Sequence, residues 1–401
     1  MTAAHQSSRR WAVLALGVLA QTSTCVFLYG LPALLPLLRA PGQVAADGLS
    51  LRAAGVLVGA PSFGLLLTLI AWGAAADRYG ERLVIVAGMT ISAATLVVAA
   101  RSTGFGALCA CLVLAAAGAA SVNAASGRMI LGWFAVGQRG LAMGIRQTAQ
   151  PLGVAVGALL LPAAGRRWGV HGALLVPGGL CLLLAVLILL FAPDPPRRSA
   201  VSTPGSDSPY RTPLLWRIHA SSAALVVPQF AVSGFTLAYL VSERAWSVVD
   251  AGRFVFAIQA AGAVGRIGAG VWSDRAGSRL RPMRVLAVAS TALMVAIAGF
   301  DLARSALVLV AFAVAAIVVV ADNGLAFTSV AELAGSRWTG RALGVQNTGQ
   351  NVVAALTPPL FGWAVQTHGY AAAFLLAAVF PSVAIASIPV RQAERREAAA
   401  A

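Results

Sequence analysis

The feature that most constrains this chain is that it repeats itself. GLAMGIRQTAQPLG, starting at Gly140, and GRALGVQNTGQNVV, starting at Gly340, pair without a gap at an offset of 200. Gly140 falls on Gly340, Ala142 on Ala342, Gly144 on Gly344, Thr148 on Thr348, Gln150 on Gln350 and, further on, Gly169 on Gly369. A second pair lies upstream. GAAADRYGER (73 to 82) and GVWSDRAGSR (270 to 279) match as G-x-x-x-D-R-x-G-x-R at an offset of 197. A small indel in a loop accounts for the change of offset, and two matches in register make the chain two related halves.

Each half carries six apolar runs. A hydrocarbon core of about 30 Å needs about 20 apolar residues of helix, and such runs lie near 11–38, 51–76, 83–100, 104–132, 140–163, 171–192, 214–241, 250–273, 283–300, 305–331, 340–364 and 369–390. Only 10% of the 401 residues are charged and 59% are hydrophobic, with mean hydropathy +0.82; a soluble domain carries about 25% charged residues. The expected fold is all-α and embedded in a lipid bilayer: a six-helix bundle over 1–192, a linker over 193–213 rich in Pro, Ser and charge, a second bundle over 214–391 and a tail over 392–401.

The net charge of +16 would suggest a nucleic-acid partner in a soluble protein. Here the basic residues, all arginine, sit mostly between apolar runs, so they report topology and no nucleic acid is expected. Eighteen arginines fall on the side of the termini and linker and eight on the other. The positive-inside rule then places both termini in the cytoplasm of a multi-pass cell-membrane protein. Arg9 and Arg10 precede a long apolar run without a small-residue cleavage site, which reads as the first helix and not as a removed signal. The four cysteines lie within apolar runs, and the four histidines are scattered at or near aqueous ends. No disulfide, metal site or cofactor is expected, and the absence of G-x-x-x-x-G-K-[ST] disfavours an ATP-driven pump.

Twelve helices in two repeats, with the D-R-x-G motif after the second helix of each, resemble the major facilitator superfamily of secondary transporters. The first copy departs from the usual pattern at Ala75 and Glu81. MGIRQTAQPLG (143 to 153) in the fifth helix is similar to the cyanate and nitrate/nitrite porter-like branch, while the paired-glycine signature of drug/proton antiporters is absent. The resemblance implies a monomer that is not an enzyme. Such a monomer carries a small-molecule substrate by alternating access, as symporter or antiporter, through one cavity between the halves near the midplane, with protons as an expected partner. It also implies that Asp77, Arg78 and Arg82, and Asp274, Arg275 and Arg279, form gates. A carboxylate at the N-terminus of a neighbouring helix meets its positive dipole end, and those termini would lie near Gly340 and Gly140. The alternative is a solvated turn.

Arg146 lies within the fifth helix, where a cation costs about 2.5–3.5 kcal/mol on insertion scales. Its counterpart in the second half is Gln346. Such asymmetry suits recognition of an anion; an arginine snorkelling to the headgroups is the alternative. Arg266, deep in the eighth helix, would bind an anion or pair with Asp322 of the tenth, whose protonation would loosen the pair. Glu332 is the second candidate for proton coupling, although it and Arg128 lie near cytoplasmic helix ends, where interfacial placement is the default. Asn123 and Asn323 match at the offset of 200, and substrate contact and interhelical hydrogen bonding explain them equally. Gln147, with Gln21, Thr22, Thr24 and Tyr29 of the first helix and Gln229, Ser233 and Tyr239 of the seventh, complete the polar candidates, each of the helix-one and helix-seven residues fitting packing better than ligand contact.

The favoured cargo is a small organic or inorganic anion held by Arg146 with Arg266, Gln147, Asn123 and Asn323. Efflux of amphiphilic drug-like compounds, using Asp322, is the first alternative. A membrane sensor or scaffold without transport is the second, disfavoured by the paired gates.

Overall fold

The computed structural model describes residues 3–195, 208–335 and 337–392. The centre of the expected linker (196–207) and all but the first residue of the expected tail lie outside the described residues. With no water in a bilayer core to satisfy the backbone, a spanning chain closes its hydrogen bonds within helices, and the described residues are accordingly helical. In order they form α1 (Ala3–Leu28), a 3₁₀ turn (Leu31–Leu34), α2 (Leu35–Leu38), α3 (Leu51–Tyr79), α4 (Glu81–Ala99), α5 (Phe105–Trp133) and a second 3₁₀ turn (Val136–Gln138). There follow α6 (Arg139–Gln147), α7 (Ala149–Ala173), α8 (Leu175–Phe191), a third 3₁₀ turn (Pro209–Arg211), α9 (Pro213–Arg244), α10 (Val248–Arg275), α11 (Leu280–Leu302), α12 (Leu307–Ala334) and α13 (Thr339–Ser387).

Among the described residues, ten helical stretches are long and apolar enough to cross a membrane, and α8 is a shorter apolar helix. The sequence leads one to expect twelve spans, and the difference lies at two matched glycines. In α13 the backbone leaves helical geometry at Gly369 (φ 82°, ψ 172°), a kink between two helical segments, and Gly169 does the same near the end of α7 (φ 70°, ψ 176°). Only glycine takes this conformation freely. Dividing α13 at Gly369 and adding α8 to the ten gives twelve.

The chain packs as two compact units. The first holds α1–α5, α7, α8 and α13 as far as Thr348; the second holds α6, α9–α12 and the rest of α13. Each unit thus contains one helix start from the other repeat. Within the first, small residues let backbones touch, which is how membrane helices associate without a hydrophobic driving force. Gly64 packs on the Val113 backbone, and Gly88 on Gly118 and Ser121. Ser92 donates to the Ala115 carbonyl at 2.7 Å, and Thr68 and the Trp72 indole both donate to that of Ala117, at 2.9 and 2.6 Å. The second unit is more aromatic, with Tyr239, Phe312, Phe374 and Phe361 in a chain of ring contacts at 5.1–5.5 Å. Large apolar side chains such as Leu67, Leu159 and Phe256 are exposed, as lipid-facing positions require.

Candidate functional site

The D-R-x-G motifs close the C-terminal ends of α3 and α10, each with a glycine at positive φ (Gly80 and Gly277). Within the first unit, the Asp77 carboxylate accepts from the backbone N–H groups of Gly340 (2.8 Å) and Arg341 (3.1 Å) and from Arg341 Nε (3.0 Å). First-turn amides have no partner inside their own helix and lie at its positive end, so a carboxylate is held there by both effects. The approach is close: a Cβ on Gly73 or on Gly340 would collide with the other's carbonyl oxygen. Arg128 of α5 bridges Asp77 (2.6 Å) and the buried Glu81 (2.7 Å).

The second unit repeats the arrangement. Asp274 accepts from the N–H groups of Gly140 (2.9 Å) and Leu141 (2.8 Å) at the start of α6, where Gly270 and Gly140 approach each other as Gly73 and Gly340 do. Arg279 bonds Asp274 at 2.6 Å, Glu332 at 3.3 Å and the Val136 carbonyl at 2.6 Å, and Arg139 reaches Glu332 at 3.5 Å. Burial alone would lower the proton affinity of the Arg279 guanidinium. Glu332 and Asp274 outweigh that and hold it above its ordinary value, so the group stays charged.

Arg82, which occupies the same motif position as Arg279, is directed elsewhere. Its guanidinium donates to the Leu189 carbonyl and its backbone N–H to Asp194 (2.8 Å), because Arg128 fills the place beside Asp77. Arg78 and Arg275 are exposed, Arg78 lying over the ring of Tyr79. Glu332, expected among the protonation candidates, is ion-paired with Arg279 and Arg139.

A different cluster lies deeper in the second unit. Arg146 is only 3% exposed; its guanidinium sits 5.8 Å from the centre of the Phe327 ring and donates to Gln147 Oε1 at 3.0 Å. A snorkelling arginine would have an exposed head, so protein and not headgroup surrounds this one. Arg266 (6% exposed) donates from Nη1 to the backbone carbonyl of the same Gln147 at 2.5 Å. Asp322 (3% exposed) interacts electrostatically with Arg266, but among the described residues no ion pair joins them, and its Oδ2 is buried without a hydrogen-bond partner.

The amides form two matching sets. In the first unit Gln21 donates to Asn123 Oδ1 (2.8 Å), and Asn347 donates to the Asn123 carbonyl (3.4 Å). In the second, Asn323 donates to Gln229 (2.9 Å), while Gln350 donates to Asn323 (3.1 Å) and to Ser222 (2.7 Å). Tyr29 packs partly buried against the core of the first unit. Sequence reasoning passed over Asn347 and Gln350, although the repeat offset from Gln147 and Gln150 carried the signal. It also gave no sign of the ion pairs of Arg128 with Asp77 and Glu81, of Arg139 with Glu332 and of Arg341 with Asp77.

A family model described as Major Facilitator Superfamily matches residues 17–357. An uncharacterized MFS-type transporter of Mycobacterium tuberculosis is 42% identical over 385 residues, covering 95% of this chain and 85% of the relative. The hexuronate transporter of Bacillus subtilis is 24% identical over 368 residues, 84% of this chain and 86% of its own. Among solved structures, the Escherichia coli fucose:proton symporter superposes with a TM-score of 0.73 at 16% identity, covering 95% of this chain and 98% of that one.

Proposed function

The chain belongs to the major facilitator superfamily of membrane transporters, and from that premise we propose that it carries a small anion by alternating access, coupled to protons. One observation carries the reading. Two buried guanidinium groups, Arg146 and Arg266, meet on Gln147, and among the described residues one carboxylate, Asp322, acts on Arg266 electrostatically. Charge at this depth is costly, and a formal excess of positive charge favours a site that an anionic group completes.

Arg146 supplies the cation for the cargo, with Gln147 and Arg266 beside it. In the same unit the amides of Gln229 and Asn323 offer donors and acceptors to cargo hydroxyls; Gln21 and Asn123, with Tyr29, are the corresponding polar candidates of the first unit. The cargo named for the Bacillus relative, a hexuronate, combines a carboxylate with hydroxyls, and a small organic acid of that kind is the favoured substrate class. Asp322 is the proton acceptor, and the fucose neighbour's name supports a proton-coupled mechanism. Both termini lie in the cytoplasm by the arginine bias, which puts the Asp77 and Asp274 latches on that side. They hold it shut and part when cargo crosses, and a monomer suffices for this.

The test is uptake into proteoliposomes from a panel of small carboxylates and inorganic anions beside lipophilic cations, with and without an inward-acid gradient. The expected result is anion uptake that rises with the gradient and is lost in Arg146→Gln. Signals from lipophilic cations alone, unaffected by Arg146→Gln but lost in Asp322→Asn, would overturn it in favour of amphiphile efflux. No flux of any kind would favour a sensor or scaffold.

A further inference from the structure

The helical path from Arg139 to Ala173 is interrupted at Thr148, between α6 and α7. Its counterpart, α13, passes the equivalent residue without interruption. Pro151 accounts for the difference. In an α-helix the carbonyl of residue i accepts from the N–H of residue i+4, so Pro151 stands where the Gln147 carbonyl needs a donor and has no N–H to give. Within a membrane an open carbonyl is costly. Arg266 meets this one, its Nη1 lying 2.5 Å from the Gln147 oxygen.

The other repeat serves as an internal control. At the repeat offsets Pro151 corresponds to Asn351 and Arg266 to Leu69. The packing supports the second correspondence independently: a Cβ on Gly144 would lie 2.6 Å from the Arg266 carbonyl oxygen, and one on Gly344 2.8 Å from that of Leu69. Asn351 has the N–H that Pro151 lacks, and Leu69 has no donor. Proline and arginine therefore occur together in one repeat and are missing together from the other.

We propose that Arg266 is a positioning residue. By closing the carbonyl that Pro151 leaves open, it pins the last turn of α6 against α10. That turn carries Arg146, and the first turn of the same helix carries the Gly140 and Leu141 amides that hold Asp274. A nine-residue helix fastened at both ends presents Arg146 in one orientation. The cap itself assumes nothing about cargo; only its consequence for transport rests on the role given to Arg146.

The experiment compares Arg266→Leu, Pro151→Asn and the double variant, which copies the Leu69 and Asn351 of the other repeat, by hydrogen exchange across 139–153 in the purified full chain. Arg266→Leu is expected to speed exchange there by about tenfold or more, the size of one charge-assisted hydrogen bond. The double variant is expected to restore protection, because residue 151 now supplies the N–H. If Arg266→Leu does not accumulate in the membrane, the same comparison is read as recovery of yield. A double variant no better than Arg266→Leu, in protection or in yield, overturns the proposal. Failure of every anion in wild-type uptake would sink the cargo reading while leaving this comparison intact.

Discussion

Asp77 and Asp274 each rest on two amides at the start of a helix whose first glycine touches a glycine of the aspartate's own helix. Around them the charges are distributed in opposite ways. In the first unit the bridging arginine, Arg128, comes from α5, and the second acid, Glu81, lies just past the D-R-x-G turn. In the second the bridging arginine, Arg279, comes from the motif, and the second acid, Glu332, lies on α12. Each latch still has two acids and two arginines, the fourth members being Arg341 and Arg139. The contrast separates what backbone geometry fixes from what charge balance leaves open. A carboxylate on helix N–H groups tolerates one position and one contact distance, whereas a bridging cation is effective from either neighbouring strand of the chain.

The comparison breaks most readily at the shared part. Asp77→Asn and Asp274→Asn each remove a buried charge from its partners, a loss of about 3–5 kcal/mol in comparable cases. Both should slow transport by more than tenfold while leaving expression near normal, and by similar amounts. Uptake rates beside membrane yields test this; a silent Asp77→Asn would mean that the first latch is only a solvated turn.

The unshared part sharpens it. Arg128→Thr leaves the buried Glu81 without its cation and should cost about 2–3 kcal/mol, the worth of a hydrogen bond to a charged group. Glu81→Ser with Arg128→Thr copies Ser278 and Thr328, the equivalents in the other repeat, and should recover much of that loss. Thermal unfolding of the two single variants and the double one measures the coupling. Additive losses would show that Glu81 and Arg128 do not act as a pair.

These contrasts also mark how far the sequence could be read. The repeat, the apolar runs and the two aspartates near Gly340 and Gly140 are legible because they depend on periodicity and on backbone groups every residue carries. Even the merging of two expected spans in α13 falls at Gly369, matched in the sequence to Gly169. The partners of Arg128 and Glu332 are not legible. Both lie near helix ends, and whether such a side chain meets a carboxylate or the headgroups depends on helix rotation and depth, which no single-sequence pattern records. Arg266 is an intermediate case: Pro151 announces that the Gln147 carbonyl lacks a donor, but only packing identifies the donor, and a pairing with Asp322 was the natural guess.

The smallest expected effect is the most discriminating about repeat equivalence. Arg82 and Arg279 are the same residue at the same motif position, so sequence alone gives them one role. Among the described residues, however, the Arg82 side chain bonds only the Leu189 carbonyl and its Nε is buried without a partner, while the contact to Asp194 is made by its backbone N–H and survives substitution. Arg82→Gln therefore removes one hydrogen bond and one unsatisfied donor together, and the net change should stay within about 1 kcal/mol. Arg279→Gln loses its ion pairs to Asp274 and Glu332 and its bond to Val136, leaving Asp274 to the Gly140 and Leu141 amides and Glu332 to Arg139. In a side-by-side uptake assay Arg82→Gln should retain most of the wild-type rate and Arg279→Gln should fall well below it. Equal losses would mean that Arg82 reaches Asp77 during the transport cycle, and that the two latches exchange partners instead of being built differently.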